Sequence, residues 1–471
     1  MQHADPPPPA SLRRDYLHLP ELIAQSIGLV AVSGGVGVLI PAVFATAGNG
    51  TWLAFVFAMV ALLFSSWSIT LFARNSASPG ALYSYAALGL GPIWGVVGGW
   101  ALLVAYGFSA AGILPGTVNS LLAVARDLGL ASGPVAPRPI LLLTVLTALA
   151  AWIIAWRDIR FSTRFTLLVE LGTLALIAIV LGAALCAPGA HVDHAQITLA
   201  HVQPRQIRLG MVLAFFSFTG FESATALGAE ARDPLRAIPQ AMRVSIIGPA
   251  LFFIFAAYTL VSAFQGATPP LDRIDAAIAV LARRQGLGGL GTPIDVGIAL
   301  SFFAALFSSI NAAARIIYSF ARQGLLHAAA GRAHPDTATP HIAVTLLVGA
   351  VLLVNLPLLL NGTSLLDSYG YLSSIATYGY LLSYLLVAIS APVWLYRQRR
   401  LSAGAVVISL LSVVFLAIPL IGSIYPAPTG VYALLPYIFL GLIGLGLVWF
   451  LLLRLFAPNR LHALEAALGR G

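Results

Sequence analysis

Apolar residues run in blocks of about twenty or more along almost the whole chain, separated by short polar joints. A helix crossing a ~30 Å hydrocarbon core needs about 20 such residues. Twelve blocks approach or exceed that length, at roughly 21–47, 51–73, 92–124, 139–156, 165–187, 207–230, 244–264, 293–319, 341–361, 367–394, 403–425 and 431–456. The fourth is short, and the third and eighth are long enough to tilt or to extend beyond the bilayer. The pattern predicts an all-α integral membrane protein with twelve transmembrane helices. Strict apolar/polar alternation in ~10-residue segments, the mark of an outer-membrane barrel, is absent.

Composition agrees. Of 471 residues, 59% are hydrophobic and 9% charged, against roughly 25% charged in a soluble domain. The net charge of +9 does not point to nucleic acid. It is carried by 25 arginines and no lysine, in short loops between apolar runs, which suits membrane orientation. With the N-terminus inside, 18 arginines face the cytosol and 7 face outward. That bias predicts both termini in the cytosol and a multi-pass protein of the cell's inner (cytoplasmic) membrane. Its partners are then the lipid bilayer and a small molecule, with no nucleic acid, as a monomer or homodimer. One cysteine, Cys186, excludes an internal disulfide framework and a Cys-based zinc site. His191, His194 and His201 lack the spacing of a metal pair and read as a solvated outer loop. No metal and no cofactor is expected.

The chain divides into a cytosolic tail (1–20), spans one to five (21–187), an extracellular loop (188–206), spans six to ten (207–394), spans eleven and twelve (395–456) and a second cytosolic tail (457–471). Two spans carry helix-breaking sequence. The first holds Ser33-Gly34-Gly35-Val36-Gly37 with Pro41 beyond it; the sixth holds Ser217-Phe218-Thr219-Gly220-Phe221-Glu222. A helix-interior glycine costs about 1 kcal/mol relative to alanine, so local unwinding is expected. Close helix packing is the alternative use of such glycines. Breaks in spans one and six are offset by five, as an inverted repeat of five plus five helices would give.

Unwound backbone frees N–H and C=O groups, which persist in a membrane only when partnered. The start of a half-helix suits a carboxylate and its end suits an ammonium group. A zwitterionic amino acid therefore fits between two such breaks, its carboxylate toward Gly34–Gly37 and its ammonium toward carbonyls near Ser217–Gly220 and the first-span break.

The stretch from Ser217 to Ala241 reads S-F-T-G-F-E, then E-A-R-D-P-L-R-A-I-P-Q-A from Glu230. It resembles the sixth-helix signature of the amino acid–polyamine–organocation (APC) permeases. Ser78-Pro79-Gly80-Ala81-Leu82-Tyr83-Ser84-Tyr85 with Gly99-Trp100, Asn311 to Gly324, and Arg160 to Arg164 resemble other parts of that family, over about residues 20 to 400. The resemblance implies the APC/LeuT-like fold, with discontinuous helices one and six, and secondary active transport of amino acids by alternating access. It departs from the family at the first-helix motif, where Val36 stands in place of the last glycine, and at Ala81. Some proton-coupled relatives carry a lysine in helix five; here that position is Thr173.

The resemblance also assigns residues. Phe216 matches an aromatic gate, and the side-chain pocket falls near Ala110 and Ile113. Neither is charged, and no acid lies inside spans three or ten, which points to neutral, apolar or small amino acids. Glu222 reads as a proton carrier or as an acceptor for freed amides. Glu170 reads as a proton site or as the partner of a nearby arginine. Ser308 and Ser309 fall where sodium-coupled relatives place hydroxyl ligands. Glu230, Arg232, Asp233 and Arg236 form either a solvated cluster or a cytosolic gate ion-paired to Arg74 or Arg157. Proton symport is the expected coupling, with sodium symport and exchange as alternatives. An integral-membrane enzyme would need a cluster of His, Asp or Glu at one membrane face, and the nine histidines are scattered. A non-transporting amino-acid sensor on the same fold would bind without flux.

Overall fold

The computed structural model describes residues 16–75, 82–131, 133, 135–156, 159–188, 191–228, 230–274, 276–335, 337, 339–425 and 430–456, without the side chains of 159–166. The tails before residue 16 and after 456, Ser78–Ala81, Arg157 and the side chains of Arg160 and Arg164 lie outside the described residues.

The described residues form helices and turns, with one isolated bridge between Leu17 and Ala231. In chain order the helices are α1 (Leu19–Val30), α2 (Val32–Ala47), α3 (Thr51–Ala73), α4 (Leu82–Leu90), α5 (Pro92–Asp127), α6 (Pro137–Ala155), α7 (Ile159–Leu185) and α8 (His194–Ile197). They continue as α9 (Pro204–Phe216), α10 (Pro234–Ala263), α11 (Ala277–Arg284), α12 (Gly291–Arg322), α13 (His341–Leu360), α14 (Leu365–Arg397), α15 (Ala403–Gly422) and α16 (Leu435–Phe456). Proline opens α5, α6, α9 and α10, where its missing N–H costs nothing. Ser364 and Ser402 cap α14 and α15 by accepting backbone N–H bonds.

Among the described residues, ten stretches are long and apolar enough to cross a membrane. Leu19–Ala73 counts as one of them although it is interrupted at Ala31 and at Gly48–Gly50. Pro204–Leu227 is not among them, because α9 stops at Phe216 and gives way to a turn and a short 3-10 run, Ser223–Leu227. The seventh apolar helix begins at Pro234, ten residues before the hydrophobic block, because a proline start and Ile238, Met242 and Ile246 carry the buried face outward.

Burial separates two kinds of helix. The most apolar windows of Leu19–Ala73, Gly288–Arg322 and Leu365–Arg397 are 83% buried, against 22% for α16. α16 and α15 turn Leu440, Leu445, Leu451, Val407 and Leu410 outward, a surface that only lipid covers favourably. The buried group, with α5 packed between α12 and α14, surrounds the functional site.

Candidate functional site

The first break lies earlier than the glycine run. α1 ends at Val30, Ala31 takes a left-handed conformation (φ 49, ψ 60), and α2 resumes at Val32. Ser33, Gly34, Gly35, Val36 and Gly37 are therefore helical, not unwound. Their glycines serve close packing: a Cβ on Gly34 would meet the Phe302 ring at 3.0 Å, one on Gly35 the Phe253 ring at 2.7 Å, and one on Gly37 Ile298 at 3.1 Å. Small residues let neighbouring side chains reach the backbone, and this outweighs their poor helix propensity.

The start of α2 presents free amides, and the chain supplies its own carboxylate to them. Ser33 donates its N–H to Glu170 Oε1 (2.7 Å) and its hydroxyl to Oε2 (3.1 Å). The Val32 N–H also serves this carboxylate, which is buried. Glu170 is thus a helix-start cap reaching across from α7; its expected pairing with an arginine at the cytosolic end of that span falls on side chains outside the described residues. Thr173, one turn on, bonds back to Val169 and packs on Gly297.

The second break follows α9. Gly220 sits at φ +101, and a Cβ there would strike Leu29 of α1, so both its conformation and the close approach require glycine. Glu222 folds back to accept the Gly220 N–H (3.2 Å) and also accepts the hydroxyls of Tyr106 on α5 (2.7 Å) and Tyr384 on α14. The two breaks interlock: Ser223 donates to the Gln25 carbonyl (3.3 Å), and Ala224 N–H donates to the Ser26 hydroxyl (3.2 Å).

Between the breaks lies a small cavity of about 20 Å³. It is lined by Leu29, Val30, Ala31, Gly35, Leu39, Ser109, Ile113, Phe216, Thr219, Phe302 and Tyr369. Of the expected substrate residues, Gly35, Ile113, Phe216 and Thr219 reach it. Ser33, Gly34, Val36, Gly37, Ser217, Phe218 and Gly220 stand behind the lining. Ala110 is buried beside it, with its neighbour Ser109 on the cavity instead. No charged residue is in the lining.

The cavity is closed on two sides. Toward α11, Phe216 packs edge-on against Tyr369 (centroids 6.2 Å apart), which packs edge-on against Phe302 (5.8 Å). Toward the N-terminus, Glu230 forms a two-pronged ion pair with Arg315 of α12 (Nε–Oε2 2.7 Å, the second bond 3.1 Å), almost wholly buried. Arg315 thus takes the place expected of Arg74 or Arg157. The Glu230 carbonyl accepts the N–H groups of Tyr16 and Leu17, and Arg232 N–H donates to the Leu17 carbonyl, binding the lead-in to α1 onto the same joint. Arg232, Asp233 and Arg236 are exposed. Tyr83 adds bonds to Ser319 (2.8 Å) and to Gln323.

Of the candidate ion ligands, Ser309 donates its hydroxyl to Ala305 (2.8 Å), and the Ser308 carbonyl accepts the Gln25 amide (3.2 Å). The Ser308 hydroxyl is buried without a partner.

Tyr369, Phe302, Ser109, Tyr106 and Tyr384 were not singled out from sequence. They are ordinary apolar-span residues until the packing brings them together. Arg315 did carry a signal: a cation inside an apolar helix needs a partner.

A sequence profile of the family described as amino acid permease matches residues 17–450. The low-affinity putrescine importer PlaP of Escherichia coli (strain K12) is 26% identical over 316 residues, covering 64% of this chain and 66% of the importer. The branched-chain amino acid permease BcaP of Bacillus subtilis (strain 168) is 23% identical over 332 residues, 67% of this chain and 70% of that protein. Cationic amino acid transporter 4 of Mus musculus is 28% identical over 363 residues, 73% of this chain and 54% of that protein. The aligned region thus spans a little under two thirds of the importer and about half of the mouse transporter.

Proposed function

The chain belongs to the amino acid permease family, and on that premise we propose that it moves amino acids across the cytoplasmic membrane by alternating access. Substrate binds between the two helix breaks, and proton symport of neutral, apolar or small amino acids is the reading adopted. The carrying observation is the closed cavity at the breaks with no charged lining residue. The names of the relatives span a diamine, cationic amino acids and branched-chain amino acids, so the choice among side chains rests on that lining. A cationic side chain would need a carboxylate there; Glu222 is enclosed by its own donors.

Counting Leu19–Ala73 as two passes and the broken Pro204–Leu227 as one extends the ten stretches to twelve. Spans one to five and six to ten then form the inverted repeat, and the arginine bias puts both termini in the cytosol. The substrate carboxylate lies toward the start of α2 at Ala31–Gly35. Its ammonium lies toward the carbonyls that end α1 at Leu29 and Val30, and toward Thr219. Opening to the cytosol breaks the Glu230–Arg315 joint; opening outward parts Phe216, Tyr369 and Phe302.

Glu170 is the coupling residue in this reading. It ties α7 to the moving break, and a protonated carboxyl loses an acceptor and gains a donor there. Sodium symport stays the alternative, because the buried Ser308 hydroxyl has no partner and the Ser309 hydroxyl, donating to Ala305, keeps its lone pairs.

The test is uptake into proteoliposomes of radiolabelled alanine, leucine, lysine and putrescine. The drive is an inward proton gradient, a sodium gradient, or internal unlabelled substrate. Protonophore-sensitive accumulation of alanine or leucine is expected. Sodium-dependent uptake would overturn the coupling, flux only against internal substrate would make the protein an exchanger, and uptake of putrescine or lysine alone would overturn the substrate class. Neither flux nor binding of any of them would sink the transport reading.

A further inference from the structure

At the end of the molecule assigned to the cytosol, α3, α14 and the start of α15 bring four arginines to one level. The Trp394 ring of α14 lies 5.4 Å from the Phe72 ring of α3. Phe72 stands two residues before Arg74, and Trp394 three before Arg397. From there α15 runs back along α3, its Ser412 hydroxyl 3.1 Å from that of Ser65. At 1.5 Å per residue, Arg74 lies about 14 Å beyond Ser65 along α3, and Ala403, which opens α15, about 14 Å before Ser412. Arg74, Arg397 and the joint that carries Arg399 and Arg400 therefore share one depth.

All four arginines are exposed. Backbone bonds fix the joint: the Arg399 N–H donates to the Tyr396 carbonyl (3.0 Å) and the Arg400 N–H to the Leu395 carbonyl (2.9 Å). Arg397 uses one side-chain N–H on the Leu88 carbonyl of α4 (3.5 Å). Among the described residues, none of the four is ion-paired to a carboxylate. The sequence gives the reason: between Glu21 and Asp127, and again after Asp367, it holds one acid, Glu465, which lies outside the described residues. α3, α4, α15 and the cytosolic end of α14 thus have no carboxylate of their own. Beside the arginines, Tyr396 and Leu401 are exposed, and the first turns of α15 face Val406, Val407 and Leu410 outward. Cations at the head of an apolar wall match a phospholipid, with its phosphate on the guanidinium groups and its acyl chains on the wall.

We propose that this corner binds the headgroup of an anionic phospholipid of the inner leaflet, with the acyl chains along the start of α15. The phosphate joins α3, which packs on α9 and α10, to α14, which packs on α5. The lipid therefore bridges the side of the molecule that carries the second break and the side that frames it. The site is separate from the substrate cavity, and it stands or falls independently of the transport reading.

The test uses the full-length protein, purified in detergent and stripped of lipid, with added lipid counted on it by native mass spectrometry. Phosphatidylglycerol is expected to bind at least about tenfold more tightly than phosphatidylcholine, and the preference to shrink as salt rises. R397Q/R399Q/R400Q is expected to abolish the preference. R74Q, on a different helix, is expected to weaken phosphatidylglycerol binding about fivefold, and it carries the test alone if the triple variant is not monodisperse. The control R236Q/R243Q/R332Q removes the same charge from exposed positions elsewhere on the cytosolic side and is expected to bind as the parent does. Equal loss in the two triple variants would reduce the effect to net charge and overturn the proposal. No lipid preference in the parent, or unchanged affinity in R74Q, would overturn it too. Displacement by inorganic phosphate or glycerol 3-phosphate at concentrations matching the lipid would make this a site for free anions, and would likewise overturn it.

Discussion

Glu170 and Glu222 are both buried carboxylates, each bonded to backbone amides at a helix break, yet they are held in opposite ways. Glu222 sits within the break it serves, and its other donors, Tyr106 and Tyr384, come from α5 and α14, two helices packed against each other. Two donors from that frame, with the Gly220 N–H of the break itself, fit an acceptor that stays in place. Glu170 stands on a different helix from the break it caps, and Ser33 supplies two of its bonds. If α1 and α2 move relative to α7, Glu170 must let go, while Glu222 need not. A buried carboxylate therefore reads as frame or as switch according to whether its donors move together.

Removing Glu222 is the harshest way to break the comparison. In Glu222→Ala, two tyrosine hydroxyls and the Gly220 N–H lose their acceptor, each at about 1–3 kcal/mol. A loss of at least about 3 kcal/mol is expected, read as a drop in the midpoint of a detergent thermal-aggregation curve and loss of the monodisperse peak. If Glu222→Ala is as stable as the parent, the frame assignment is wrong.

The next effect is on function. Glu170→Gln keeps an acceptor for the Ser33 N–H and a similar shape, so a cost of only about 1–2 kcal/mol is expected. Gradient-driven accumulation should be lost, and uptake should become indifferent to pH, while exchange against internal substrate persists. Loss of exchange together with accumulation would place Glu170 in the frame beside Glu222.

The sequence made the fold class legible because hydropathy and glycine content report on lipid contact directly. It also located both breaks to within a few residues. What it misassigned has a physical cause. Gly34, Gly35 and Gly37 read as unwinding from propensity alone, but whether a glycine unwinds a helix or admits a neighbour depends on Phe302, Phe253 and Ile298, far away in sequence. The Glu230 gate was legible as a charge cluster, but its partner was not, because Arg315 meets it only after α12 packs.

The finest discrimination comes from deleting one hydroxyl at each carboxylate. Tyr384→Phe and Ser33→Ala each remove one donor to a buried carboxylate, worth about 1.5–3 kcal/mol where the acceptor is charged. Chemically the two changes match; the frame-and-switch distinction says their consequences will not. Tyr384→Phe leaves Glu222 with Tyr106 and Gly220 in an unchanged setting. It should lower the thermal midpoint and leave the ratio of proton-driven accumulation to exchange unaltered. Ser33→Ala leaves the backbone bond at 2.7 Å intact, so its stability loss should be the smaller of the two. Its mark should be a severalfold change in that ratio, because the bond it weakens is one that must break on every cycle. Equal ratios in the two variants, with equal stability losses, would mean that both carboxylates are frame and that coupling lies elsewhere in the molecule.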